Sequence, residues 1–247
     1  MAGAGAERQE TGLVDAINKA VKEYKAGKGN KHKGIRINTP AGSLNSIVMA
    51  EKYSGLSAIG NEPYTDVILH TVGGRKWNVS MKGMSAPSLA GGGTKGLEQA
   101  VPGLAGKFIR AAHRAYLRKG YKTGDDIPDA YGKIPDDKVI KILKGTASMG
   151  GPIHYMYVGP MNVISRFDDR IGILTVNGNF TAISRYASDH ELIFRMRKRR
   201  NDQMFVTEGM DKLGHPSIYG KSPSRGDSAK RVVVVDKFPN NAFKVRF

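Results

Sequence analysis

The chain has no cysteine, a single tryptophan, and few acids for its basic content: 22 Asp and Glu against 39 Lys and Arg. Without cysteine there are no disulfides and no thiolate metal centres, so any metal must be held by oxygen or histidine. This also suits an intracellular protein of the cytoplasm or nucleoid, or a virion protein. No apolar run reaches the roughly 18 residues of a membrane-spanning helix. The start, "MAGAGAERQETG", lacks the basic and then apolar regions of a secretory signal, so secretion is not expected. Internal repeats and long low-complexity tracts are also missing. The six histidines (32, 70, 113, 154, 190, 215) show no metal-type pairing. Arg225-Gly226-Asp227 matches an adhesion tripeptide, a coincidence in a chain without a secretory context.

What is present is positive charge. The formal net charge is +17 over 247 residues, with 40% hydrophobic residues and enough length for one large domain, or one domain with an appendage. Such an excess repels itself unless an anionic partner or counterions offset it. On charge alone nucleic acid is the first candidate, DNA with RNA left open, and an anionic membrane surface the second. No membrane partner is expected, whereas a homodimer or higher homo-oligomer is compatible with the chain. Basic residues concentrate in Lys19, Lys22, Lys25, Lys28, Lys31, Lys33 and Arg36, against the single acid Glu23.

Leu13, Val14, Ile17 and Val21 recur at helical spacing over residues 11–24, with Glu7 and Glu10 just before them. "NTPAGSLNSIVMAEKYSG" predicts a second helix, with Pro40 in its first turn and Gly55 at its end. "YTDVILHTV" and "RKWNVSMKG" predict two strands joined at Gly73-Gly74. A helix broken at Pro102-Gly103 follows, carrying Lys107, Arg110, Arg114, Arg118 and Lys119. "IPDDKVIKILKG" predicts another, with acids at its start and lysines at its end. From residue 153 the pattern turns to strands: "IHYMYV", "NVISRF", "RIGILTV", "FTAISRYA", "HELIFRMRKR", "QMFVTEG" and "RVVVVDKF". Asn177-Gly178 and Asn201-Asp202 are expected hairpin turns, and residues 214–231 a surface loop. The class is α+β: a helix-flanked mixed sheet, then an antiparallel β-rich basic part. The expected boundary near residue 150 gives regions 1–150 and 151–247, the second either separate or continuous with the first.

In "HELIFRMRKRR" one strand face carries Leu192, Phe194 and Met196 and the other Arg195, Arg197 and Arg199, with Arg200 beyond. A row of arginines suits phosphate contacts. Trp77, Tyr155 and Tyr157 could stack on bases or lie in the core. "GMSAPSLAGGGTKG" is not a P-loop, because Thr94 precedes Lys95. It is either a plain connector or a flexible segment closing over DNA.

Asp66 opens the first predicted hairpin strand, and Ser80 and Lys82 share one face near the end of the second. Phosphodiester hydrolysis needs a divalent cation on oxygen ligands and a cation to orient water or neutralise charge. Thr65-Asp66 followed by Ser80-Met81-Lys82 resembles the PD-(D/E)XK nuclease superfamily over roughly residues 7–120. The usual proline is absent and serine replaces the second acid, as in a group of restriction enzymes that take this acid from the following helix. Glu98 lies in the corresponding helix here. The resemblance implies a nuclease-like core in which Asp66, Glu98 and the Met81 carbonyl hold Mg²⁺ (or Mn²⁺). It further implies that Lys82 manages the attacking water, Ser80 hydrogen-bonds within the site, and Glu10 (or Glu7) supports it. A second expectation is a non-enzymatic nucleic-acid-binding protein, such as a phage or chromosome structural component. A third is a virion or assembly protein docking on an acidic partner.

Overall fold

A computed structural model describes residues 4–27, 33–54, 58, 63–84, 93–197, 203–220 and 231–247. The Gly/Lys segment 28–32 with Lys31, the glycine-rich segment 85–92, Arg199, Arg200, the Asn201-Asp202 turn and the tripeptide at 225–227 lie outside these residues. The elements run α1 (Ala4–Ala26), β1 (Ile35–Thr39), β2 (Gly42–Lys52), β3 (Val67–Thr71), β4 (Lys76–Gly83), α2 (Gly93–Ala100), α3 (Leu104–Arg118) and β5 (Ala130–Lys133). They continue with α4 (Asp136–Lys144), a 3₁₀ turn (Ala147–Met149), β6 (Tyr155–Gly159), β7 (Ser165–Asp168), β8 (Ile173–Val176), β9 (Asn179–Ala182) and α5 (Ile183–Asp189). Last come β10 (Ile193–Arg197), β11 (Gln203–Met210), β12 (Pro216–Gly220), β13 (Arg231–Val235) and β14 (Phe243–Lys244). The class is α+β, as the patterning predicts.

The chain forms two compact units, one of Met1–Ala86 with Thr146–Tyr186, the other of Pro87–Gly145 with Ala187–Phe247. The single boundary expected near residue 150 is therefore one of several crossings. The physical reason is strand pairing: β6 lies parallel to β4, with Val79 opposite Tyr155 and Lys82 opposite Val158. Parallel neighbours need a long crossover, and here residues 84–154 supply it.

The first unit is one mixed sheet in the order β7-β8-β1-β2-β3-β4-β6-β9. Only Asn177-Gly178 joins β8 to β9, yet six strand spacings, about 29 Å in a flat sheet, separate them in that order. Three Cα steps span about 11 Å, so the sheet has to curl until its last strand approaches its first ones. The Ala41 N–H, in the β1–β2 turn, accordingly donates to Asn179 Oδ1 at 3.0 Å. Asn177-Gly178 is thus no hairpin between paired neighbours. A Cβ on Gly178 would lie 2.2 Å from Tyr157 Cζ, so the glycine is there to admit that ring.

The hydrophobic core of this unit unites Leu13, Ile17, Ala20 and Val21 of α1 with Ile35, Ile37, Leu44, Ile47, Val67, Leu69, Val79 and Met81. Tyr157 is fully buried against Phe180, and Trp77 packs against Tyr155 at 5.3 Å, so these rings belong to the core and its margin. α1 starts earlier than expected, at Ala4. Its Gln9 amide donates to the Gly159 carbonyl at 2.8 Å and the Pro160 carbonyl at 3.1 Å, which ties the helix start to the end of β6.

The helix predicted at 38–55 is instead the β1–β2 hairpin. Leu44, Ile47 and Ala50 are buried at every third position, which mimics a helix. Ser46 at φ 63° and register shifts in the pairing of β2 with both neighbours turn a period of two into three. "FTAISRYA" is likewise not one strand: after β9 the chain enters α5, burying Ile183 and Tyr186 at helical spacing.

The second unit has a sheet in the order β13-β10-β5-β14 and the hairpin β11–β12. Its helices α2 and α3 are separated at Pro102-Gly103, and α4 follows Pro135, all as predicted. The expected 214–231 loop contains β12, which pairs with β11 and buries Ser217 and Ile218, with His215 buried just before it. No helix among the described residues is long and apolar enough to cross a membrane.

Candidate functional site

β3 and β4 are adjacent, antiparallel and central in the large sheet, with Val67 opposite Val79 and Gly73-Gly74 at positive φ in the turn between them. β3 ends its ladder at Val67, whereas β4 continues to Gly83. Asp66 sits where the ladder stops. Its N–H donates to the Val79 carbonyl at 2.9 Å and its carbonyl accepts from the Tyr53 N–H at 2.9 Å. Its carboxylate Oδ2 accepts the Met81 N–H at 2.5 Å and the Ser80 hydroxyl at 3.3 Å. The main-chain donor left open by the end of β3 therefore finds a charged acceptor.

Two neighbours hold this corner. The Tyr64 N–H donates to the Met149 carbonyl at 2.8 Å, and the buried Thr65 hydroxyl donates to the Gly150 carbonyl. Burial drives the Tyr64 phenol far above its ordinary range, so it stays neutral.

Val79 and Met81 point into the core with α1, so alternation turns Ser80 and Lys82 to the other face of β4. The structure thus brings Asp66, Ser80 and Met81 into direct contact and sets half-buried Lys82 two residues along from Ser80. No hydrogen bond or ion pair of the Lys82 ammonium occurs among the described residues. Its backbone carbonyl accepts from the Gln9 amide at 3.4 Å.

Glu10 is placed differently. Lys52 is in register with core-facing Val67, and its ammonium lies 3.4 Å from Glu10 and 4.0 Å from Glu7. These acids stand on the α1 side of the sheet, opposite the Ser80–Lys82 face, so neither supports the Asp66 corner in the way the resemblance implies.

Glu98 belongs to the second unit, and its carboxylate is engaged there. Oε2 accepts the Gly103 N–H at 2.5 Å and Oε1 the Gly106 N–H at 2.7 Å, with His215 Nε2 3.6 Å from Oε1. Gly103 is the N-cap of α3, left-handed and without a side chain to cap with. Glu98 therefore provides from outside what a capping side chain would, at the positive end of the helix dipole. Among the described residues no three His, Asp or Glu side chains cluster as metal ligands.

Of the basic residues, Lys33 and Arg36 are exposed around the start of β1, Arg114 is exposed on α3 and Arg110 is half-buried there. Arg195 is already paired: its Nε and one terminal nitrogen donate to Asp129 Oδ2 at 2.9 and 2.7 Å, and its guanidinium lies 5.8 Å from the Tyr131 ring centre. The apolar face of that strand is as predicted, with Leu192, Phe194 and Met196 buried. Arg197 contributes main chain to β10, its side chain lying outside the described residues. Two partners here went unread in the sequence. Asp129 gives no signal beyond an acid near a strand, and Gln9 looks like any polar residue of an amphipathic helix.

Mg²⁺ in its water-rich form takes one or two carboxylates and leaves the other positions to water and substrate phosphate. Asp66 and the Met81 carbonyl are the candidate protein ligands. Comparison of the chain with protein-family models, curated proteins and solved structures returns no match.

Proposed function

We propose that the protein is a Mg²⁺-dependent DNA endonuclease of PD-(D/E)XK type. The observation that carries this reading is the Asp66 carboxylate bonded to Ser80 and Met81 on a central strand, with Lys82 next on the Ser80 face. Bound Mg²⁺ would polarise the phosphate and lower the pKa of a water. In this reading the Met81 N–H and Ser80 hydroxyl fix the orientation of the Asp66 carboxylate. The Lys82 ammonium orients the attacking water and offsets charge growing on the phosphate. The net charge of +17 suits a polyanionic substrate met in the cytoplasm, the nucleoid or a virion.

Plasmid nicking in Mg²⁺ or Mn²⁺ tests this. Asp66→Ala and Lys82→Ala are each expected to slow cleavage by about 100-fold or more, with Tm unchanged for Lys82→Ala. Cleavage by either variant at the wild-type rate removes the site assignment. A second reading, a non-enzymatic nucleic-acid-binding or virion structural protein, is favoured by the engagement of Glu98 as a helix cap. A wild type that binds DNA but leaves plasmid intact in both metals would select it.

A further inference from the structure

α3 carries a stripe of positive charge that helix stability does not explain. Phe108, Ile109, Ala112 and Tyr116 are buried, while Lys107, Arg114 and Arg118 are exposed and Arg110 is half-buried between them. At intervals of three and four residues these cations lie along one side of the helix. The helix contains no acid, and none of the four is ion-paired among the described residues. α4 offers a contrast inside the same unit. Its Asp136 and Asp137 open it and Lys141 and Lys144 close it, an arrangement the helix dipole favours by itself. In α3 the dipole accounts for Arg118 at the end. It disfavours Lys107, one turn from the positive end, where the N–H groups already need the carboxylate of Glu98.

We propose that this face of α3 is a docking surface for the phosphate backbone of duplex DNA. The proposal rests on the DNA-directed part of the reading above and is independent of hydrolysis. From Lys107 to Arg118 the helix rises about 16 Å at 1.5 Å per residue, a rigid row of cations beside a duplex with one charge per ~1.7 Å. The stripe holds no exposed aromatic ring, since Tyr116 and Phe108 are buried. Single-stranded nucleic acid is gripped largely by stacking on such rings, so a duplex is the better match. Contacts to phosphates position a protein and carry no base sequence, so binding at this face is indifferent to sequence. The row on β10 is the weaker candidate, because Arg195 is held by Asp129.

The test is fluorescence anisotropy with a labelled random-sequence duplex, in EDTA and over a series of salt concentrations. The triple variant Lys107→Gln, Arg114→Gln, Arg118→Gln keeps residues that favour helix. It is expected to bind at least about tenfold more weakly and to lower the log–log salt slope by about 2–3. The control removes equal charge from α4 by Lys138→Gln, Lys141→Gln, Lys144→Gln and is expected to keep the wild-type slope within about 1. Circular dichroism checks that both variants fold. An unchanged slope in the α3 variant, an equal drop in the α4 control, or wild-type preference for single strands over the duplex overturns the proposal. Because no divalent cation is present, loss of the slope in a protein that never nicks plasmid would uphold this surface while removing the nuclease reading.

Discussion

The two N–H groups that Glu98 accepts belong to a helix start with glycine at its cap. Replacing Glu98 by alanine strands both donors and is expected to cost about 1–2 kcal/mol, read as a lower urea midpoint. Its effect on cleavage should be no larger than this loss of stability explains. Unchanged stability with abolished cleavage would instead assign Glu98 to the metal. The sequence placed Glu98 correctly on the helix after Lys82 but left its partner invisible. The clue, legible only afterwards, is that Pro102-Gly103 offers no Ser, Thr, Asp or Asn to cap α3, so another residue must. Asp66 was more legible, because its position beside Ser80 and Met81 follows from the strand pattern and the glycine turn. Gly178 teaches the converse lesson, since a turn-like dipeptide was required by a neighbouring ring instead. Gly178→Ala would press a methyl into Tyr157 and is expected to cost about 1–3 kcal/mol through overpacking, measurable as a drop in Tm.

At the scale of elements, periodicity served well wherever the backbone was regular. α2, α3, α4, the β3–β4 hairpin and the buried face of β10 all follow from spacing together with turn glycines, the Pro102-Gly103 break and charged helix ends. β2 defeated it, because its irregular register buries every third residue and copies the helical period. The same strand shows what holds α1 in place. Asn18 Oδ1 accepts the Ala50 N–H at 2.9 Å, and its Nδ2 donates to the Ala50 carbonyl at 2.8 Å. One amide therefore satisfies both main-chain groups of a β2 residue from the helix that packs on it. Asn18→Ala is expected to destabilise the fold by about 1–3 kcal/mol, the cost of leaving two partly buried groups unmet. Hydrogen exchange at the Ala50 amide should accelerate in step, and slow exchange there in the variant would show that another acceptor takes over.

For the whole molecule, charge was the most legible property and the pairing of distant segments the least. A parallel β4–β6 contact has no local signature, so the return of residues 146–186 to the first unit could not be read from composition. At alkaline pH the charge excess and the buried phenols act on the fold in opposite directions. Tyr64 and Tyr157 in the first unit and Tyr116 in the second are all held above their ordinary range by burial, Tyr157 pushed up to about 12. Tyr116 is also raised by nearby Asp129, and its hydroxyl donates to the Pro128 carbonyl at 2.6 Å. An unfolded tyrosine ionises near pH 10, so these phenols contribute fully below that pH. Their contribution is lost as pH climbs through the folded values, because the unfolded chain releases protons that the folded one retains. Lysine deprotonation in the same range relieves repulsion. That relief is weak at ~0.1 M salt, where screening acts within about 10 Å, and the unfolded chain shares in it. The phenols should therefore win, and circular dichroism should be lost from about pH 10 upward. Tyrosinate absorbance near 295 nm should rise in two stages: exposed rings first, then Tyr64, Tyr116 and Tyr157 together with unfolding. A single titration of all ten tyrosines near pH 10 with the dichroism intact would contradict the burial of these three.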